Sequence, residues 1–284
     1  MDMKFSHKRI NGIRLHVAEA GPPDGPLVVL LHGFPEFWFG WRHQIGPLVE
    51  AGFHVVVPDQ CGYGHSDKPE GLAAYELDRL AADVLSLAAE YGRERFRVVG
   101  HDWGASVGWW LATAHAERIE RLVAMNAPHP SVWYEAMTRD PVQRRRSWYL
   151  RLFRLPWLPE WLLSRGDFRA LRKGFEDARP GAFTAEDFGR YRRAWSQRGA
   201  LHGMLNWYRA FLRNPPGPST GVRIAPPTLI LWGERDRYAG RELAQASAAL
   251  CERAEVVWFG KATHWIQHDE PAAVARLCVS FLAA

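Results

Sequence analysis

Asp102 stands in Gly100-His101-Asp102-Trp103-Gly104, directly after the apolar run Phe96-Arg97-Val98-Val99. A nucleophile between two glycines, just past a strand, has the form of a nucleophile elbow, and here the raised side chain is a carboxylate instead of a hydroxyl. That difference changes which bond can be cut. A serine alkoxide attacks acyl carbon and leaves an ester that water cleaves; on saturated carbon it would leave an ether that resists hydrolysis. A carboxylate attacking saturated carbon leaves an ester, which water opens at the carbonyl. An elbow aspartate therefore points to hydrolysis of a carbon–halogen or epoxide carbon–oxygen bond and away from an esterase. The competing reading of these residues is a plain strand-to-helix turn with Asp102 as helix N-cap.

An elbow aspartate needs an oxyanion hole, a base and an acid to orient the base. His32-Gly33-Phe34-Pro35-Glu36 follows the first long apolar run, and its backbone can set the Phe34 N–H beside that of Trp103. Two such donors would hold the tetrahedral oxyanion of ester hydrolysis, each worth on the order of 3 kcal/mol. Near the C-terminus, His264 lies in Ala262-Thr263-His264-Trp265, and Asp236 lies in Trp232-Gly233-Glu234-Arg235-Asp236. The chain order nucleophile, acid, histidine suits this architecture, with His264 activating water and Asp236 orienting the imidazole. His264 and His268 also have the i, i+4 spacing of two metal ligands, but no glutamate follows the first histidine and no third ligand stands nearby, so no metal is expected. Gly62-Tyr63-Gly64 reads as a loop and not as a phosphate cradle, and no cofactor is expected.

These residues must be held by a sheet. Asn11-Gly12 between alternating stretches predicts an opening hairpin. Apolar runs at Leu27–Leu31, Phe53–Val57, Phe96–Val99, Leu122–Met125, Thr228–Leu231 and Val256–Phe259 predict strands, with helical patterns such as Leu77–Tyr91 between many of them. Alternating strands and helices give a mostly parallel, doubly wound α/β sheet whose site lies beyond the carboxyl ends of the strands. The alternation breaks between His129 and Pro218, a stretch rich in Arg and Trp that reads as several short helices and ends in Asn214-Pro215-Pro216-Gly217-Pro218. The expected organisation is a core of residues 1–128 and 219–284 with a helical cap, 129–218, inserted over the site.

The 284 residues suit one α/β domain with an insertion, and 47% hydrophobic content is ordinary for a globular enzyme. The net charge of +5 is uneven: residues 129–218 hold 17 Lys and Arg against 8 Asp and Glu, so the remainder is net negative. The excess sits in helix-like stretches and reads as a solvated face, and no nucleic-acid motif accompanies it. Three cysteines, Cys61, Cys251 and Cys278, without metal-like spacing suit reduced thiols. The charged first residues have no apolar stretch behind them and no run approaches a membrane span, so the expectation is a cytoplasmic protein without signal peptide or membrane contact.

His32-Gly33-Phe34-Pro35-Glu36, the stretch Asp59 to Ser66, Gly100-His101-Asp102-Trp103-Gly104-Ala105 and the stretch His264 to His268 together resemble the α/β-hydrolase-fold epoxide hydrolases, over nearly the whole chain. The resemblance implies a two-step reaction on a small hydrophobic epoxide and water, with Asp102 as nucleophile, His264 as base and Asp236 as its partner. It implies two cap tyrosines that protonate the leaving oxygen; Ser147 to Phe153 and Leu205 to Arg209 look like their settings, which selects Tyr149 and Tyr208. Phe34, Trp103 and Phe153 are expected against the substrate, and some of Trp133, Trp148, Trp157, Trp161, Trp195 and Trp207 along the pocket. A homodimer is among the expected assemblies. The alternative is a haloalkane or haloacid dehalogenase, which shares the aspartate elbow but tends to carry a polar halide-binding residue where this chain has Phe34. A noncatalytic ligand-binding member of the fold would not need Asp102, Asp236 and His264 together.

Overall fold

The computed structural model describes residues 2–284. In chain order, β1 (Lys4–Ile10), β2 (Ile13–Ala20) and β3 (Leu27–Leu31) lead to α1 (Ile45–Glu50) and β4 (His54–Pro58). Next come α2 (Leu77–Glu90), β5 (Phe96–His101), α3 (Trp103–Ala114) and β6 (Ile119–Met125). Six helices follow in succession: α4 (Pro130–Arg139), α5 (Pro141–Arg146), α6 (Tyr149–Phe153), α7 (Leu158–Lys173), α8 (Ala185–Trp195) and α9 (Ala200–Arg213). The chain then returns through β7 (Thr228–Gly233), α10 (Arg241–Ala248), β8 (Ala254–Phe259), α11 (Ile266–Asp269) and α12 (Pro271–Ala283).

The eight strands form one sheet in the order β1-β2-β4-β3-β5-β6-β7-β8. The first two pair as an antiparallel hairpin turned by Asn11 and Gly12, whose φ values of 47° and 88° suit the tight turn that right-twisted strands favour. β2 is antiparallel to β4, and every other pairing is parallel. Period-two alternation divides each buried strand between the faces: Leu27, Val29 and Leu31 pack with α2 and α3, and Val28 and Leu30 with α1 and α12. Burial on both faces explains why the central strands read as continuous apolar runs.

After β3 the chain moves out to β4 and then returns to β5 on the other side of β3. This reversal opens a crevice at the carboxyl ends of β3 and β5, where Phe34 and Asp102 stand. The elbow depends on close approach: a Cβ on Gly104 would lie 2.0 Å from the Leu31 carbonyl oxygen, so only glycine lets α3 start against β3. The six successive helices cap this end. α9 crosses the core with Gly203 against Gly62, where a Cβ on Gly203 would meet the Gly62 Cα at 2.7 Å, and the Trp207 indole N–H bonds the Cys61 carbonyl at 2.9 Å. No described helix is long and apolar enough to cross a membrane.

Candidate active site

Asp102 has φ 51° and ψ −122°, a conformation L-residues rarely adopt, and its side chain makes no cap bond to α3. The plain N-cap reading is thus excluded. The carboxylate turns instead across to the β3 loop, where Oδ1 accepts the Phe34 N–H at 2.8 Å. Gly33 makes room, since a Cβ there would lie 2.6 Å from that oxygen. The second expected donor is not engaged: no hydrogen bond joins the Trp103 N–H to either Asp102 oxygen. Such contacts are often loose at rest and tighten as charge develops. Oδ2 faces His264 Nε2 at 3.6 Å, within ion-pair range.

His264 Nδ1 lies 2.8 Å from Asp236 Oδ2, so the proton on Nδ1 points at the carboxylate and Nε2 faces the nucleophile. Asp236 Oδ1 accepts the Tyr238 and Ala239 N–H groups at 2.6 and 3.1 Å, and Oδ2 also accepts from Asn126 Nδ2 at 2.8 Å. Burial alone would raise the Asp236 carboxyl, but the His264 charge and these donors hold it below its usual value. Burial would likewise lower His264, yet the Asp236 charge, together with hydrogen bonding and charge from Asp102, lifts it to about 10. His268, the other member of the i, i+4 pair, turns away to Glu36 at 2.8 Å. Among the described residues no group of three side chains could hold a metal ion.

The cap supplies the roof. Tyr208 on α9 and Tyr149 on α6 meet with ring centroids 5.9 Å apart at 90°. Tyr208 packs on Phe34, Phe153 and Trp103 at 5.3, 5.1 and 5.0 Å. Burial, then the nearby Asp102 charge, pushes both phenols well above their usual range, so they remain protonated. The cap tryptophans divide sharply. Trp133 packs on Trp103, whereas Trp195 and Trp207 are buried cap–core anchors, each with its indole N–H on a backbone carbonyl. Trp148, Trp157 and Trp161 are exposed, so any of the six that line the pocket are not among these three. A cleft of about 1020 Å³ lined by His7, Arg14, Lys68, Arg198 and His202 opens at the junction of hairpin and cap, and none of the Asp102 group lines it.

Three features escaped sequence reading. Asn126, which buttresses Asp236, sits one residue past β6 with φ 44°; an asparagine closing an apolar strand was the available signal. Tyr238 packs over the His264 ring at 5.0 Å. Glu36, two residues past Phe34, is fully enclosed by donors: Tyr191 Oη at 2.5 Å and His268 Nε2 on one oxygen, Gln267 Nε2 at 2.9 Å on the other. Arg42 Nη1 donates to His268 Nδ1 at 3.1 Å, so the proton on Nε2 points at Glu36. Burial would raise Glu36, but His268 and His101 hold it well below the usual carboxylate range.

The fold is matched by comparison with known proteins. Residues 26–271 match the family model described as the alpha/beta hydrolase fold. The chain belongs to the α/β-hydrolase fold family. It is 46% identical to the AB hydrolase superfamily protein YfhM of Bacillus subtilis (strain 168), over 99% of this chain and 98% of that one. It is 37% identical to Epoxide hydrolase 4 of Mus musculus, over 96% of this chain and 77% of that one. Among solved structures it resembles Epoxide Hydrolase A from Mycobacterium thermoresistibile, with a TM-score of 0.88 and 31% identity over 100% of this chain and 99% of that one. As an α/β hydrolase, the chain places its elbow residue, Asp102, where this fold presents its nucleophile.

Proposed function

We propose that this α/β hydrolase opens epoxides to vicinal diols through an ester on Asp102. The observation that carries the reading is the split use of one carboxylate, with Oδ1 held by the Phe34 N–H, Oδ2 facing His264 Nε2 at 3.6 Å, and two cap phenols close enough to feel its charge. Oδ2 attacks an epoxide carbon, the carbon–oxygen bond breaks, and its electron pair leaves on the ring oxygen. Tyr149 or Tyr208 gives that oxygen a proton and regains one from solvent.

Esterification cancels the Asp102 charge, one of the influences that keep His264 protonated. The imidazole then releases its proton and becomes a base. His264 takes a proton from water, the hydroxide adds to the ester carbonyl, and the oxyanion forms on Oδ1 at the Phe34 and Trp103 N–H groups. Collapse releases the diol oxygen, which takes the proton back from His264, and the Asp102 carboxyl ionises. Phe34, Trp103 and Phe153 shape an aromatic wall suited to a hydrophobic epoxide. Two phenols supply the proton an alkoxide needs and a halide does not, which favours epoxide over haloalkane. Three unpaired cysteines are in keeping with a reducing cytoplasm.

His264→Ala tests the reading. Asp102 needs no base to attack, so incubation with an epoxide should leave a stable adduct whose intact mass exceeds the protein's by the whole substrate. A haloalkane would add only its alkyl group. No adduct from a range of epoxides, with an alkyl adduct from a chloroalkane, would make this a dehalogenase.

A further inference from the structure

The outer face of the cap between α5 and α7 is apolar and strongly basic at once. Among the described residues, all the exposed large hydrophobic ones but Phe5 fall between 142 and 162: Val142, Trp148, Leu155, Trp157, Trp161 and Leu162. Trp157 is 75% exposed and Trp148 64%, far beyond the scattered exposure a surface tolerates. Trp157 takes φ 48°, left-handed backbone that disfavours a bulky residue, and Trp161 follows one turn later with its N–H on the Trp157 carbonyl at 3.0 Å. The two residues are thus one turn apart at the start of α7. Eight of the nine Lys and Arg residues between 144 and 173 are exposed, with Arg165 over the Trp161 ring at 4.6 Å and Arg169, Arg172 and Lys173 past a break in α7 at residues 165–168. The two acidic residues in that span, Glu160 and Asp167, are already paired, with Arg209 at 2.7 Å and Arg192 at 3.2 Å.

We propose that this face docks on an anionic lipid bilayer, with Trp148, Trp157 and Trp161 at the headgroup boundary and the arginines on lipid phosphates. Indoles favour that boundary because one edge is apolar and the N–H is polar, and cations are drawn to the negative leaflet surface. Charge complementarity selects this occupant. A second copy seated across a two-fold axis would set eight cations against eight. Duplex nucleic acid matches the arginines but offers no apolar layer for Leu155 and Leu162. A bilayer supplies both. Docking of this kind needs no spanning segment, so it revises the expectation of no membrane contact, which rested on the lack of one. The docked face is the back of α6, whose inner side carries Tyr149 and Phe153; on the reading that the substrate is a hydrophobic epoxide, the site would sit over the phase where such molecules collect.

Sedimentation of the full chain with vesicles tests this directly. Binding is expected to vesicles of phosphatidylcholine mixed with phosphatidylglycerol, not to phosphatidylcholine alone, and is expected to fall with salt. Arg144→Gln with Arg145→Gln and Arg151→Gln should weaken it by roughly a hundredfold, and Trp157→Ser with Trp161→Ser should weaken binding and cut the quenching of tryptophan fluorescence by brominated lipid to what Trp148 alone gives. Both variants change only exposed residues and should keep the hydrolysis rate on a water-soluble substrate. The proposal is overturned by absence of binding to phosphatidylglycerol vesicles at low salt, or by binding that both variants retain. Self-association lost in the tryptophan variant, or duplex DNA bound in place of vesicles, also overturns it. None of these readouts depends on the identity of the substrate.

Discussion

Asn126 and Asp236 are joined across the ends of β6 and β7: the amide Nδ2 donates to Asp236 Oδ2 at 2.8 Å, and the amide oxygen accepts the Gly233 N–H at 2.9 Å. Asp236 Oδ2 is the oxygen that also accepts the hydrogen bond from His264 Nδ1. Asn126→Ala should free the carboxylate to rotate. The expected stability loss is about 1.5 to 3 kcal/mol, the range for a hydrogen bond to a charged group. Ester hydrolysis should slow while alkylation of Asp102 stays near wild type, as urea unfolding and single-turnover kinetics can show. Equal slowing of both steps would mean that Asn126 does more than hold Asp236.

The strain at Asp102 gives the second prediction. Glycine adopts φ 51° with ψ −122° freely, so Asp102→Gly should be inactive yet more stable than wild type by about 1 to 3 kcal/mol, the usual cost of such a conformation. Chemical denaturation measures it. A variant less stable than wild type would show that the Phe34 bond outweighs the strain.

Tyr149→Phe and Tyr208→Phe each keep the ring packing and remove one proton donor. Each should slow alkylation by roughly 10- to 100-fold, toward the low end of what general acids contribute, because the other phenol still serves the same oxygen. The double variant should nearly stop ring opening. Rapid-quench measurement of the Asp102 ester reads this, and wild-type alkylation by the double variant would reduce both tyrosines to packing.

His264 provides a pH signature. Its folded value of about 10 lies above the ordinary 6.5, so the ion pair contributes stability in full below about 6.5 and loses it as pH rises through about 10. Asp102→Asn removes one of the influences that raise it, and the variant should lose less stability over that window in denaturant unfolding. Its imidazole should titrate lower by NMR. An unchanged titration would mean that Asp236 alone holds the proton and that esterification does not release the base.

The strand-end chemistry could be read from the sequence because each element there is local. Asp102, Phe34, Asp236 and His264 follow apolar runs whose direction the parallel sheet dictates, and Asn11-Gly12 specifies its own turn. Tyr149 and Tyr208 were found by resemblance, not by pattern, since an aromatic residue in a short helix looks alike whether it packs or reacts. The cap tryptophans cannot be sorted from sequence for the same reason: whether Trp157 or Trp195 is covered depends on what lies against it, and that is tertiary. Glu36 carries no signal of its role in the sequence because its partners, Tyr191, Gln267 and His268, come from remote parts of the chain.

That buried glutamate has a consequence for how the protein could be rebuilt. Glu36 ties α8 of the cap, through Tyr191, to the oxyanion loop and to the segment following His264, and the Trp195 indole N–H adds a bond to the Pro35 carbonyl at 2.6 Å. A cap transplanted from another hydrolase would leave an ionised carboxylate stripped of a donor, two residues from the nucleophile's anchor, a loss of several kcal/mol. Cap and core are thus not interchangeable modules. Recombination that changes specificity should succeed with breakpoints inside the α4–α7 half and fail wherever α8 is exchanged without Glu36.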